Sequence, residues 1–272
     1  MLDNTKLELL KSLKENKYDF SDINKIDLTY SLIENIGDKD GFIRDDLVYP
    51  VLAHLLHDNV LEKEELIKIA RLLISDQYLF YDINNEEEYS VLKRSFTLLQ
   101  LAILVYKHNA DKSLSDEVVH DIALSFGKYF ELESDLRGYD ELVGWCHSIA
   151  HSADLFTQLF KSEVLSSESI AVMLELIRDK FIRKDYQFVS DEDERMVNAL
   201  EVVILNEKVS NDILVKWIES FSIFEKGEEW PGIYIILANI KHILRSLYFR
   251  ILDNDSHKDL VRVIKETLNK IK

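Results

Sequence analysis

His147, His151, Asp154 and Gln158 follow one another at intervals of four, three and four residues. On an α-helix those intervals put all four side chains on one face. Imidazole and carboxylate so arranged can ligate a divalent metal, relay a proton or hold a polar ligand. From Leu142 to Phe160 the nineteen residues LVGWCHSIAHSADLFTQLF carry one formal charge, Asp154, in a chain where 31% of residues are charged. Trp145, Ile149, Ala150, Ala153, Phe156 and Leu159 fill the remaining faces. A helix wrapped in apolar groups is buried, and buried polar groups cost free energy unless paired. The sequence therefore predicts an internal polar site. The plainer alternative is a hydrogen-bonded seam that sets helix register.

His147 and His151, at i and i+4, are the candidate metal ligands for Zn²⁺ or Mn²⁺. Asp154 could join them or orient an imidazole from behind. A rise of about 1.5 Å per residue separates His147 from Asp154 by roughly 10 Å along the axis, so one ion cannot take all three without strain. Glu133, Asp135, Glu192 or Asp193 would have to complete the set.

A second chemistry is anion binding. Arg44 and Asp45 open RDDLVYP, Arg94 sits in KRSF, Arg137 in ESDLRGY and Arg195 ends DEDER. Guanidinium forks hold carboxylate or phosphate in a bidentate grip. Each arginine also has acidic neighbours, so ion pairing within the fold is the competing reading. The full candidate set is Arg44, Asp45, Arg94, Glu133, Arg137, Trp145, His147, His151, Asp154, Asp193 and Arg195. Of the aromatic residues only Tyr139 and Trp145 flank the polar stripe; the others fall at core spacings. Cys146 and His147 would point about 100° apart on a helix, so Cys146 reads as a packed thiol rather than a nucleophile. His54 and His57 read as surface residues. There is no glycine-rich phosphate loop.

Long helices must position these groups. The chain has 272 residues, 47% apolar, with two prolines and seven glycines, which leaves few turn formers. Helical periodicity predicts helices near 4–16, 21–35, 42–57, 61–75, 86–107, 115–134, 140–160, 166–183, 191–206, 210–222, 231–253 and 256–271. Ser115 and Ser166 are expected N-caps, each with acidic residues in the following turn. Gly138 is expected to close one helix, with Asp140 opening the next. Pro50 either starts a helix or kinks one, and Pro231, after Gly227 to Trp230, starts another. About a dozen helices in pairs suggest an α-solenoid or HEAT-like array in a single domain, 1–272. A closed bundle is the alternative.

The net charge of −17 and pI of about 4.9 disfavour nucleic acid and anionic membrane as partners. No apolar signal segment opens the chain. The apolar run Phe96–Tyr106 is too short to span a bilayer, and the polar stripe within 142–160 suits a protein interior. A single cysteine suits a reducing compartment, and the chain is expected to be cytoplasmic.

The order RDDLVYP, RSF, ESDLRGY, GWCHSIAHSAD and DEDER resembles a bacterial family of all-helical proteins of unknown function, DUF2785. The resemblance covers about 40–250, is most distinctive from Gly144 to Asp154, and extends to NIKHILRSLYFR near the C-terminus. It implies a helical-repeat fold and a shared setting for the polar positions, and it implies no activity. The expected function is a binding module for an anionic small molecule or a protein partner. The rival is a metal-dependent hydrolase, with His147 and His151 as ligands and Glu133 or Asp193 as base.

Overall fold

A computed structural model describes residues 2–84, 86–224 and 231–271. The described residues are predominantly helical: α1 Asn4–Glu15, α2 Lys25–Ile33, α3 Tyr49–His57, α4 Lys63–Leu73, α5 Ser90–Asp111, α6 Asp116–Leu132, α7 Ser148–Lys161, α8 Ser167–Phe181, α9 Glu192–Leu205, α10 Asn211–Ser220, α11 Gly232–Ile251 and α12 Lys258–Lys270. Two short strands, β1 Tyr139–Asp140 and β2 Gly144–Trp145, pair antiparallel. No described helix is long and apolar enough to cross a membrane.

The helix starts follow the expected chemistry. Ser115 and Ser166 accept from the N–H groups of Val118 and Ser169, satisfying donors that the first turn leaves open. Pro231 precedes α11 as expected, whereas Gly227 to Trp230 lie outside the described residues.

Pro50 resolves in an unexpected way. Residues Phe42–Val48 form a π-helical segment, and Tyr49 N–H reaches back five residues to the Arg44 carbonyl. Proline has no N–H to give the Asp46 carbonyl four residues back. Lys14 Nζ takes that place at 2.6 Å. Arg44 lies in this segment, and π segments are frequent at functional sites.

The chain divides into two compact units, Met1–Leu155 and Phe156–Lys272, with the boundary inside α7 rather than at a linker. In the first unit α5 is the axis, packed by α3 and α4, while α4 also meets α6. In the second, α9 packs on α11, α10 on α8 and α12, and α11 on α8 and α12. The first unit's core draws on Leu55, Leu98, Leu104, Val119, Ile122 and Phe126, all fully buried.

Gly37 shows how closely the chain approaches α5. A β-carbon there would sit 2.7 Å from the backbone N and Cα of Lys93, closer than any side chain tolerates. Gly37→Ala should therefore force backbone movement and lower the unfolding free energy by about 1–3 kcal/mol. Urea denaturation checks this, and wild-type stability in the variant would contradict it.

Candidate functional site

The 140–160 helix of the sequence reading does not exist in that form. α7 begins at Ser148, and a β-hairpin occupies the residues before it. The cause is local. Asp140 Oδ1 accepts from Leu142 N–H (2.9 Å) and Val143 N–H (3.3 Å), which folds the chain into a turn. The Leu142 bond above all, with the Val143 bond and Arg137, holds the Asp140 carboxyl below its ordinary range against the opposing effect of desolvation. Gly144 has φ +78, the left-handed residue that a three-residue hairpin loop requires. The left-handed cap expected at Gly138 is not formed: α6 ends at Leu132 with Glu133 as an extended C-cap. Gly138 instead supplies the carbonyl that accepts from Cys146 N–H (2.9 Å) and His147 N–H (3.3 Å).

His147 is consequently not on the helix. Its φ is +50, and its carbonyl accepts the first α7 bond, from His151 N–H at 2.9 Å. It therefore occupies the cap position, where the chain turns from hairpin to helix. The four-residue polar stripe shrinks to His151, Asp154 and Gln158, with Asp154 half-buried.

Four expected residues do converge, around Phe96. Arg44 is fully buried with its guanidinium carbon 4.8 Å from the Phe96 ring centroid. His151 meets the same ring edge-on at 5.1 Å, and its Nδ1 donates to the Ser95 carbonyl at 3.2 Å. His147 is tilted against His151 at 5.6 Å and stacks flat on Trp145, 4.2 Å between centroids and 4° between planes. Arg44 Nη2 closes the circuit on the Trp145 carbonyl at 3.5 Å.

The arginines are already occupied. Arg44 donates to Asp45 through Nε (2.8 Å) and Nη2 (3.2 Å), to the Asp38 carbonyl through Nη1 (2.9 Å), and to the Val143 carbonyl through Nη2 (2.9 Å). Burial pushes the Asp45 carboxyl up despite Arg44 beside it. Arg94 holds Glu133 in a two-pronged grip at 2.7 and 2.8 Å, with both side chains shut away from water. Its Nη1 also donates to the carbonyls of Tyr81 and Asp82 and to Ser90 Oγ. Burial works against the Arg94 charge, yet the bonds and charge of Glu133 raise its pKa overall. Tyr129 adds its hydroxyl to Glu133 at 2.8 Å and, being buried, titrates well above its usual range. Arg137 grips Asp135 (3.0 and 2.7 Å), Asp140 (2.9 Å) and the Glu88 carbonyl (2.7 Å). These pairs meet the ion-pair alternative rather than an open anion cradle.

The remaining candidates fare as follows. Glu133 is committed to Arg94 and Tyr129, so it is not a free base. Asp193 and Arg195 belong to α9 in the second unit, where Ser246 Oγ donates to Asp193 at 2.7 Å. Glu192 is buried, takes Ser190 N–H at 2.7 Å, and has its carboxyl pushed up by burial. Cys146 is buried beside Val91, Leu92 and Val143, and burial lifts its thiol to about 11, the wrong direction for a nucleophile. His54 and His57 are half-exposed and share the Asp58 carboxylate at 2.6 and 2.7 Å. Among the described residues no three His, Cys, Asp or Glu side chains are grouped to hold a metal ion. His147 and His151, the pair behind the Zn²⁺ or Mn²⁺ reading, stay adjacent at 5.6 Å between ring centroids, with His147 on the turn before α7 rather than on the helix.

What the site does offer lies on the hairpin. Tyr139 and Trp145 are direct cross-strand partners and meet edge-to-face at 4.9 Å. They are 56% and 45% exposed, and Leu142 at the loop tip is 82% exposed. The sequence motifs include Tyr139, Trp145 and, in KRSF, Phe96; Leu142 has no signal beyond being an apolar residue beside a polar motif.

A family model described as a protein of unknown function, DUF2785, matches residues 79–249. No curated protein and no solved structure matches.

Removing one member of the Arg94–Glu133 pair strands a buried charge. Arg94→Met should cost about 3–5 kcal/mol, and adding Glu133→Leu should restore part of that loss. A double-mutant denaturation cycle checks this; simple additivity would contradict it.

Proposed function

Since the chain belongs to the DUF2785 family of proteins of unknown function, its role has to be read from its own geometry. We propose that it is a helical-repeat binding module that docks a protein partner on the β-hairpin Tyr139–Trp145. One observation carries this reading: a tyrosine, a leucine and a tryptophan stand exposed on a hairpin held by two arginines, Arg44 through the Val143 carbonyl and Arg137 through the Asp140 carboxylate. Tyrosine and tryptophan dominate the energetics of protein interfaces. A rigid aromatic loses little conformational freedom on binding. A solvent-facing Leu142, flanked by two large rings, is a surface that soluble proteins keep for contact.

The repeat reading has support within each unit. Several helices pack on the second helix along the chain: α3 on α5, α4 on α6, α8 on α10, α9 on α11 and α10 on α12. Stacked helix pairs produce that pattern. Between the two ligand classes expected from sequence, the protein partner gains and the anionic small molecule loses. A guanidinium that already holds carboxylates and carbonyls must give them up before it can hold an anion. No specific observation favours the hydrolase.

Photo-crosslinking tests the proposal. A benzophenone amino acid at Leu142 should capture a discrete protein in the native host. The same group at Leu124, 75% exposed on α6, should not. Identical capture from both positions, or none from Leu142, would overturn the reading. A melting temperature raised by Zn²⁺ or Mn²⁺ in the wild type, but not in His151→Ala, would also count against it by reviving the metal site.

A further inference from the structure

The hairpin's surroundings bear on the kind of partner. Asp140 and Glu141 are the charged residues of the stretch 139–145, and it contains no lysine or arginine. Arg137 draws the Glu88 backbone alongside, which brings in the exposed side chains of Glu86, Glu87 and Glu88. Arg44 ties the hairpin to the segment 38–46, which contributes exposed Asp40 and Asp46 with half-buried Asp38 and Asp45. Three acidic stretches therefore border one aromatic surface.

The basic groups nearby are engaged. Arg44, Arg94 and Arg137 are bound as described, and Lys39 Nζ lies 5.0 Å from the Tyr89 ring centroid, a ring that Arg137 also approaches at 5.6 Å. Lys93 Nζ lies over Tyr81 at 4.4 Å and Tyr78 at 4.9 Å. The fold thus repeatedly places cations on aromatic faces in this neighbourhood, with Phe96, Tyr89, Tyr81 and Tyr78 all taken. Among the described residues no lysine or arginine covers Tyr139 or Trp145. His147 covers one face of the indole, and the rest of the two rings, 45% and 56% exposed, has carboxylates around it.

Resting on the docking role of the hairpin, we infer that its occupant is a basic segment of a partner protein. That segment places a lysine or arginine against Trp145 and Tyr139, with its apolar neighbour on Leu142. The negative face of the indole attracts a cation directly, and the acidic border adds a longer-range pull that salt weakens. An acidic segment would meet repulsion from Glu86, Glu87, Glu88 and Glu141. A neutral apolar segment would leave that charge unused.

Fluorescence polarisation on the full-length protein tests the assignment, using three fluorescein-labelled peptide pools of equal length. Each pool contains leucine and serine, and in addition lysine with arginine, glutamate, or no charged residue. The basic pool should bind best and weaken severalfold as salt rises. Trp145→Ala and the surface charge reversal Glu141→Lys should each weaken it at least tenfold, while Trp145→Phe keeps most of the binding. Circular dichroism melts confirm that the variants are folded. Binding of the basic pool that ignores both substitutions is mere attraction to a chain of net charge −17 and overturns the inference. Equal, Trp145-dependent binding of all three pools overturns the basic preference but leaves the docking role intact. Absence of Trp145-dependent binding in every pool overturns both.

Discussion

A guanidinium taken out of water needs acceptors for its N–H groups, and in the first unit buried Arg44 and Arg94, with the partly exposed Arg137, find theirs on carboxylates and on irregular backbone. Arg94 gathers the carbonyls of Tyr81 and Asp82 with Glu133 at the end of α6. Arg44 joins the π-helical segment to the hairpin, and Arg137 joins the hairpin to the chain before α5. Helix packing alone would leave these connections without partners, because a loop has no ladder of its own. Each arginine also carries a carboxylate along, which is why Asp45, Asp135 and Glu133 sit where they do.

This constraint explains how a two-residue-per-strand hairpin can be a defined surface. An isolated hairpin of that size is at best marginal in water. Here its carbonyls at Val143 and Trp145 are gripped from the interior by Arg44, its Asp140 carboxylate from the side by Arg137, and its inner residues Val143 and Cys146 pack on Val91 and Leu92. The outward residues are then free to be apolar. Beneath them the stack Trp145–His147–His151–Phe96 runs into the core and ends on Arg44. These polar groups are also the internal contacts beneath the hairpin's exposed face.

Most helices were legible from periodicity because each buries a long apolar stripe; α4, expected at 61–75, spans 63–73, and α9, expected at 191–206, spans 192–205. The hairpin was not legible. Strands of two residues carry no alternation, and HxxxH continued the helical spacing of α7 by coincidence. Asp140 followed by Gly144 was the available signal, and helical context masked it. The π segment was hidden for a related reason: Pro50 announces a disturbance, but the donor that takes up the freed Asp46 carbonyl, Lys14, is far away in sequence. The nearness of Arg44, Trp145, His147 and His151 follows from the polarity of their motifs, while the carbonyl bonds of Arg44 and His151 do not, since backbone acceptors leave no trace in side-chain types. Division at Leu155 had no signal either, falling inside a helix with no change in composition.

Hydrogen exchange of the hairpin amides in Arg44→Lys tests this support most directly, because lysine keeps the charge and loses the fork. In the wild type, Cys146 and His147 N–H are bound to the Gly138 carbonyl and should exchange slowly. In the variant both should exchange much faster while the amides in the middle of α4 keep their protection. Unchanged exchange at Cys146 and His147, or an equal loss across α4, would show that the hairpin does not depend on the arginine grip.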